Sequence, residues 1–288
     1  MSEEKTKRPF ISKLIILFLL VMLIFIYARY MGSKGFVVRE YNIVSSNIPE
    51  SFDGFSIVQF SDLLYGSTMN KTKLDKVVQK INKLKPNIIV FTGDLFSEEY
   101  KPNKKALHDI KERLKNLDAE IGKYSIRGDR DVKNKYYEEI ISDSDFIDLS
   151  NTYELIYYKG LTPIVLYGVD SSINGNLDLE KTFSYPNEST DSNYMATFRI
   201  LLAHEPDVVS KVNQYNISLM LSGHSLNSSI NIPYIKKLYN IKGASTYFDE
   251  EYNVNGIKLY ISSGLGTNKH HMRLLSKPSI SIFRLFHE

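Results

Sequence analysis

The chain of 288 residues contains no cysteine and no tryptophan. Without cysteine there is no disulfide, no thiolate nucleophile and no sulfur-ligated zinc, so any transition metal must rest on His, Asp, Glu or Asn. A dominant charge is also missing, since 36 Lys and Arg stand against 33 Asp and Glu for a formal net charge of +3. The two signs are interspersed as on a solvated surface, which gives no case for a nucleic-acid partner. The lack of Trp beside 20 Tyr carries no functional message.

What is present first is a long apolar run. Residues 14–28 (LIILFLLVMLIFIYA) are unbroken, Phe10 and Ile11 precede them, and Tyr30 and Met31 extend them. The run approaches the ~20 residues that cross a bilayer, and two tyrosines at its far end suit an interfacial belt. A core helix would show a polar face, and this segment has none. A cleaved signal peptide would end in small residues of the A-x-A kind, whereas ARYMGSKG offers a poor site. The sequence predicts a basic tail at 1–13, a single-pass anchor at 14–31, a connector at 32–48 and one soluble domain at 49–288. Lys5, Lys7, Arg8 and Lys13 precede the run, against Arg29, Lys34 and Arg39 after it. That balance predicts the N-terminus inside and the soluble domain outside the cell membrane.

Beyond the connector, short apolar runs alternate with amphipathic helices. SIVQFS (56–61) and IIVFT (88–92) read as buried strands. Between them, Leu74, Val77, Val78, Ile81 and Leu84 form one apolar stripe at helical spacing, stopped by Pro86. Leu107, Ile110, Leu114 and Leu117 predict a second helix, and 124–127 leads into a third strand ending at Gly128. IVLYGVD (164–170), RILLAH (199–204) and SLMLSGH (218–224) follow, and Asn255-Gly256 between two alternating runs predicts a hairpin. This order argues for an α/β sandwich of mixed sheets. The Ser-, Asn- and Asp-rich stretch 171–193 reads as a long excursion.

Polar residues stand at the carboxyl ends of the predicted strands: Asp62, Asp94, Asp129, His204 and His224. In open α/β sheets that edge forms the ligand crevice. A single Asp or His there is more often a cap or a core hydrogen-bonding residue. Five oxygen and nitrogen donors on five strand ends, with no cysteine, match a metal site.

The blocks FSDLL (60–64), TGDLF (92–96), RGDRD (127–131), LLAHEPD (201–207) and SGHSLNSS (222–229) occur in the order and spacing of the calcineurin-like metallophosphoesterases. The chain resembles the small membrane-anchored bacterial branch of that family from about 42 to 285. The resemblance implies a four-layer sandwich, two mixed β-sheets flanked by helices, after an N-terminal transmembrane helix. It also implies a pair of metal ions. The family's D-x-H reads Asp62-Leu63-Leu64 here, its G-N-H-D or G-N-H-E reads Gly128-Asp129-Arg130-Asp131, and its G-H-x-H reads Gly223-His224-Ser225-Leu226.

Sorted by ion, the departures are uneven. One ion would use Asp62, residue 64, shared Asp94 and residue 226, and two of these are leucines without a lone pair, so Asp62 is a weak ligand. Facing leucines at 64 and 226 read as a repacked, abandoned site. The other ion would use Asp94, Asp129, His204 and His224, a complete set for one divalent Mn, Fe or Zn. Arg130 stands where the family has a histidine that helps the leaving group. A guanidinium cannot release a proton near neutral pH but can grip phosphate oxygens bidentately. The alternative is that Arg130 pairs with neighbouring Asp129 or Asp131. His270, His271 and Arg273 fall where this branch places substrate-facing residues, and the histidine pair offers a rescue ligand. Two readings stay open: an impaired or inactive relative holding one metal and a phosphate-bearing small molecule or lipid headgroup, or an active one-metal phosphodiesterase or phosphatase on lipid or cell-envelope phosphate esters.

Overall fold

The computed structural model describes residues 4–184, 198–226, 229–231 and 241–288. Part of the 171–193 excursion and residues 227–228 of the last block lie outside them. The first element, α1 (Glu4–Tyr30), holds the apolar run. Its large apolar side chains from Phe10 to Ile26 are 41–67 % exposed, so nothing among the described residues covers them. Residues 10–30 are long and apolar enough to cross a membrane, at about 30 Å for 1.5 Å per residue. One apolar N-terminal helix of this kind is consistent with an anchor.

Two six-stranded mixed sheets follow. The first takes the order β1 (Val37–Ser45), β12 (Ser279–His287), β2 (Ser56–Phe60), β3 (Ile88–Phe91), β4 (Gly122–Ser125) and β5 (Phe146–Asp148). The second takes β10 (Glu251–Val254), β11 (Ile257–Ile261), β9 (Leu219–Ser222), β8 (Arg199–Leu202), β7 (Ile164–Gly168) and β6 (Thr152–Ile156). Only β12–β2 in the first sheet and β10–β11 and β6–β7 in the second are antiparallel among the pairs described. The Asn255-Gly256 hairpin forms as its turn chemistry requires, with Val254 opposite Ile257.

Side chains alternate between faces along each strand, and that alternation builds three apolar layers. Ile57, Ile88, Val90, Ile200, Leu202, Leu219 and Leu221 meet between the sheets. The opposite faces, with Val58, Ile89 and Phe91, pack under α2 (Lys71–Leu84), α3 (Lys104–Lys115) and α4 (Tyr137–Asp143). Leu201, Met220 and Leu259 cover the outer side of the second sheet beneath Val208 and Val209. The result is the four-layer sandwich.

Two expectations need correction. The third strand ends at Ser125 rather than at Gly128. Residues 37–45, expected inside a connector, are β1, which pairs along its whole length with β12 from Val37↔Ser279 to Ser45↔His287. Its local pattern is half-exposed and mixed, so only the distant partner reveals it.

Candidate metal centre

The carboxyl ends of β2, β3, β4, β8 and β9 converge on one edge and carry the polar residues singled out from sequence. The backbone there is strained, with Asp62 at φ 48°, Asp94 at 64° and His224 at 66°. Left-handed conformations of non-glycine residues cost roughly 1–2 kcal/mol each and cluster at functional sites. Close approach also demands glycine, since a Cβ on Gly93 would sit 2.9 Å from His204 Nδ1 and one on Gly128 would overlap the Asp94 carboxylate.

Hydrogen bonds fix the tautomer of each histidine. His204 Nδ1 lies 2.6 Å from the Thr92 carbonyl and His224 Nε2 lies 2.8 Å from the Lys242 carbonyl. A carbonyl only accepts, so both of those nitrogens carry the hydrogen. In the neutral imidazoles the opposite nitrogens, His204 Nε2 and His224 Nδ1, therefore turn their lone pairs into the site. This is the arrangement of metal-ligating imidazoles, whose second nitrogen is held by a carbonyl.

Asp129 Oδ1 faces them, 3.3 Å from His224 Nδ1 and 3.6 Å from His204 Nε2. Asp94 Oδ2 is 3.5 Å from His204 Nε2. Asp129 Oδ1, His204 Nε2 and His224 Nδ1 are all buried without a hydrogen-bond partner, as is Asp62 Oδ1. Buried polar atoms are rarely left so. Asp129, His204 and His224 form one group able to share an ion, and Asp62, Asp94 and His204 form another. In the first group all three donor atoms lack a hydrogen-bond partner, whereas in the second Asp94 Oδ2 is engaged by Arg130.

Without an ion the charges balance one another. Burial opposes the His204 imidazolium, but Asp94 and Asp129 outweigh it and raise its pKa well above the ordinary value. His224 is raised in the same way by Asp129 against its burial. Burial would raise Asp129 too, yet the two imidazoles hold it far below the carboxylate range. Asp62 has the reverse balance, and burial lifts its pKa.

Arg130 pairs with neither Asp129 nor Asp131. Its Nη1 donates to Asp94 Oδ2, and its backbone N–H donates to Asp94 Oδ1 at 3.1 Å. Burial would lower its pKa, but Asp94, Asp129 and Asp62 raise it further, so the guanidinium is a permanent cation among three carboxylates. Local sequence pointed to the nearest acids, whereas the β3 end brings Asp94 closer. The two leucines are buried at positive φ, Leu64 at 43° and Leu226 at 52°. Leu226 Cδ2 and Asp62 Cβ flank the same point, 2.6 and 2.7 Å from where a Cβ on Gly264 would be.

Asp131 escaped the sequence reading as a functional residue, although it closes the RGDRD block. It accepts hydrogen bonds from Asp94 N at 2.6 Å, Leu95 N at 2.9 Å and Gly128 N at 2.9 Å, which ties the β3 and β4 ends together. Burial and the Asp94 charge push its pKa up to about 7 against those amides. It is a positioning residue. Asp131→Asn turns an amide donor towards backbone donors and should cost about 2–3 kcal/mol. A fall in melting temperature of roughly 5–10 °C would register this, and an unchanged transition would refute it.

Arg273 also departs from expectation. Its side chain is buried, not substrate-facing, and it donates to the carbonyls of Gly264, Gly266 and Ser276. Its burial pulls its pKa down to about 10. His270 and His271 line a cavity of about 530 Å³ that also reaches Leu64 and Arg130, but neither belongs to an ion-sharing group among the described residues.

Two mixed sheets with a His/Asp cluster on their common edge define a metallophosphoesterase-type protein. The family model for calcineurin-like phosphoesterases matches residues 55–228, more than half of the chain. The chain is 32% identical over 263 residues to the uncharacterized metallophosphoesterase YkuE of Bacillus subtilis, covering 90% of this chain and 88% of that one. It is 25% identical over 303 residues to the UDP-2,3-diacylglucosamine pyrophosphatase LpxG of Chlamydia trachomatis, covering 84% and 88%. A transmembrane protein with metallophosphoesterase domain from Danio rerio is 25% identical over 295 residues, covering 97% of this chain and 64% of that protein. The chain belongs to the calcineurin-like phosphoesterase family.

Proposed function

We propose that this is a single-pass membrane protein whose outward-facing domain holds one divalent ion and binds a phosphate-bearing ligand, with hydrolysis impaired or lost. The observation that carries this reading is the set of orphaned atoms on Asp129, His204 and His224, aimed at one another with their tautomers already set. Those residues, with Asp94 beside them, would hold Mn, Fe or Zn. When bound, such an ion supplies positive charge that polarises a phosphoryl oxygen.

The protein's own side chains then define what else can happen. Arg130 is held by Asp94 at the mouth of the cavity, where its remaining N–H groups can grip phosphate oxygens in a fork. It has no proton to give a leaving group near neutral pH, so general-acid help is absent at that position. Leu64 and Leu226 bring no donor to the second ion's side. Binding is retained and bond cleavage is weakened.

The membrane reading rests on α1 and fits the transmembrane relative from Danio rerio. The Chlamydia trachomatis relative is named for a diphosphate on a diacylated molecule, which favours a lipid headgroup as the phosphate carrier. An active one-metal esterase is the second reading, favoured by the permanent cation that Arg130 places beside Asp94. Titration of inorganic phosphate and a short-chain phospholipid into the full-length, metal-loaded protein separates them from no binding at all. Arg130→Gln should weaken either ligand about 10-fold or more, the worth of a charge-assisted pair. Unchanged affinity would remove Arg130 from the site. Turnover of an aryl phosphodiester that His204→Ala abolishes would select the active reading.

A further inference from the structure

The loop from β11 to β12 runs between the site and the end of α1. At its start, Gly266 N donates to Asp62 O at 2.7 Å, so it abuts the candidate site directly. In its middle, Arg273 N donates to Ala28 O at 3.0 Å in the last turn of α1. A helix leaves its last carbonyls without internal partners, and at a bilayer edge such a group needs one. Gly32 allows the contact, because a Cβ there would overlap the Arg273 carbonyl oxygen. The Arg273 guanidinium braces the loop from within through the carbonyls of Gly264, Gly266 and Ser276, and Ser276 Oγ donates to Leu226 O at 2.9 Å. The loop is thus tied at one end to the site and at its middle to the point where α1 leaves the apolar layer.

Two residues beyond Arg273, Leu275 is 67 % exposed at φ 57°. A single exposed leucine ordinarily needs no explanation. This one lies at the level of the helix exit, between exposed Lys269 and Lys277, with Lys34 exposed just past the helix. An apolar tip among lysines at that level matches the acyl and anionic headgroup layers of a membrane surface.

We infer that the 267–277 loop is a second membrane contact: Leu275 dips into the bilayer beside α1 while Lys269 and Lys277 meet lipid phosphates, so that the cavity bearing Arg130 opens onto the headgroup layer. Thr267, Lys269 and His271 of the same loop line that cavity, which places its mouth where lipid phosphates lie. The inference rests on the reading that α1 crosses the membrane.

The chain's lack of Trp makes the test clean. Three single-Trp variants of the full-length protein, Leu275→Trp, Leu20→Trp and Leu161→Trp, go into vesicles of phosphatidylcholine and phosphatidylglycerol with brominated acyl chains. Leu161 is 71 % exposed, on a loop against Ser51 near the far end of β12. Leu20→Trp should be quenched by bromine deep in the chains, which tests the anchor itself. Leu275→Trp should be blue-shifted and quenched by bromine near the headgroup end, while Leu161→Trp answers only to aqueous iodide. If Leu20→Trp is quenched and Leu275→Trp behaves like Leu161→Trp, the inference is wrong and the anchor stands. If Leu20→Trp is not quenched, both fall. Because Leu275 is exposed and already at positive φ, Trp there disturbs no packing. A Leu275→Cys variant with a polarity-sensitive dye, the chain's only thiol, gives a second readout with the same two outcomes.

Discussion

Replacing three residues, Leu64→His, Leu226→His and Arg130→His, is expected to bring a second ion into the site and with it a measurable phosphodiesterase activity. The two leucines occupy left-handed backbone at the strand ends, where His is better tolerated than an aliphatic residue. Leu226 flanks the same glycine as Asp62, so a ligand nitrogen there would face a carboxylate that has a free oxygen. Arg130 must change as well, because its guanidinium pairs with the Asp94 carboxylate that a second ion would need. Histidine at 130 also restores a group that can exchange a proton near neutral pH, an effect worth about 10²–10⁴ in rate. The expected result is a rise of one ion per chain in elemental analysis and aryl phosphodiester turnover above the parent by that order. A triple variant that folds yet binds no further ion would mean that the leucines did not displace a ligand pair.

The second large effect is expected from His204→Ala. His204 Nε2 faces Asp94 and Asp129, and its Nδ1–H is held by Thr92 O, so no other side chain can take its place. Loss of a single supporting residue around a metal commonly costs 10–100-fold in affinity, and loss of a direct ligand should exceed about 100-fold. The deletion also leaves Asp94 and Asp129 without the imidazole that lowers their pKa values. A calorimetric titration with Mn²⁺ or Zn²⁺ should show binding in the parent protein and none in the variant. Equal affinity in the two would take His204 out of the coordination set.

How much of this was legible beforehand depended on the range of each signal. The apolar runs in SIVQF, IIVF and LMLS marked buried strands locally, and the structure divides their residues between layers on alternate faces. The Asp and His at strand ends were visible because each lies within four residues of its strand's end. Arg130 was visible as a departure, but its partner was not, because Asp94 lies 36 residues away and only the parallel β3–β4 pairing joins them. The same holds for β1, whose partner strand begins at Ser279. Arg273 stands where the family resemblance places substrate-facing residues. Its burial comes from three carbonyls of a loop whose path no local pattern records. The histidine tautomers, too, are set by carbonyls of Thr92 and Lys242, which belong to the backbone and leave no side-chain signature.

The central claim is that one ion's ligands survive while the other's have been replaced by leucine and arginine. It is tested most directly by counting metal in the full-length protein purified in detergent, loaded with Mn²⁺ or Zn²⁺ and freed of excess by gel filtration. One ion per chain, absent from His204→Ala, is the predicted result. Two tightly held ions per chain, or none, would contradict it.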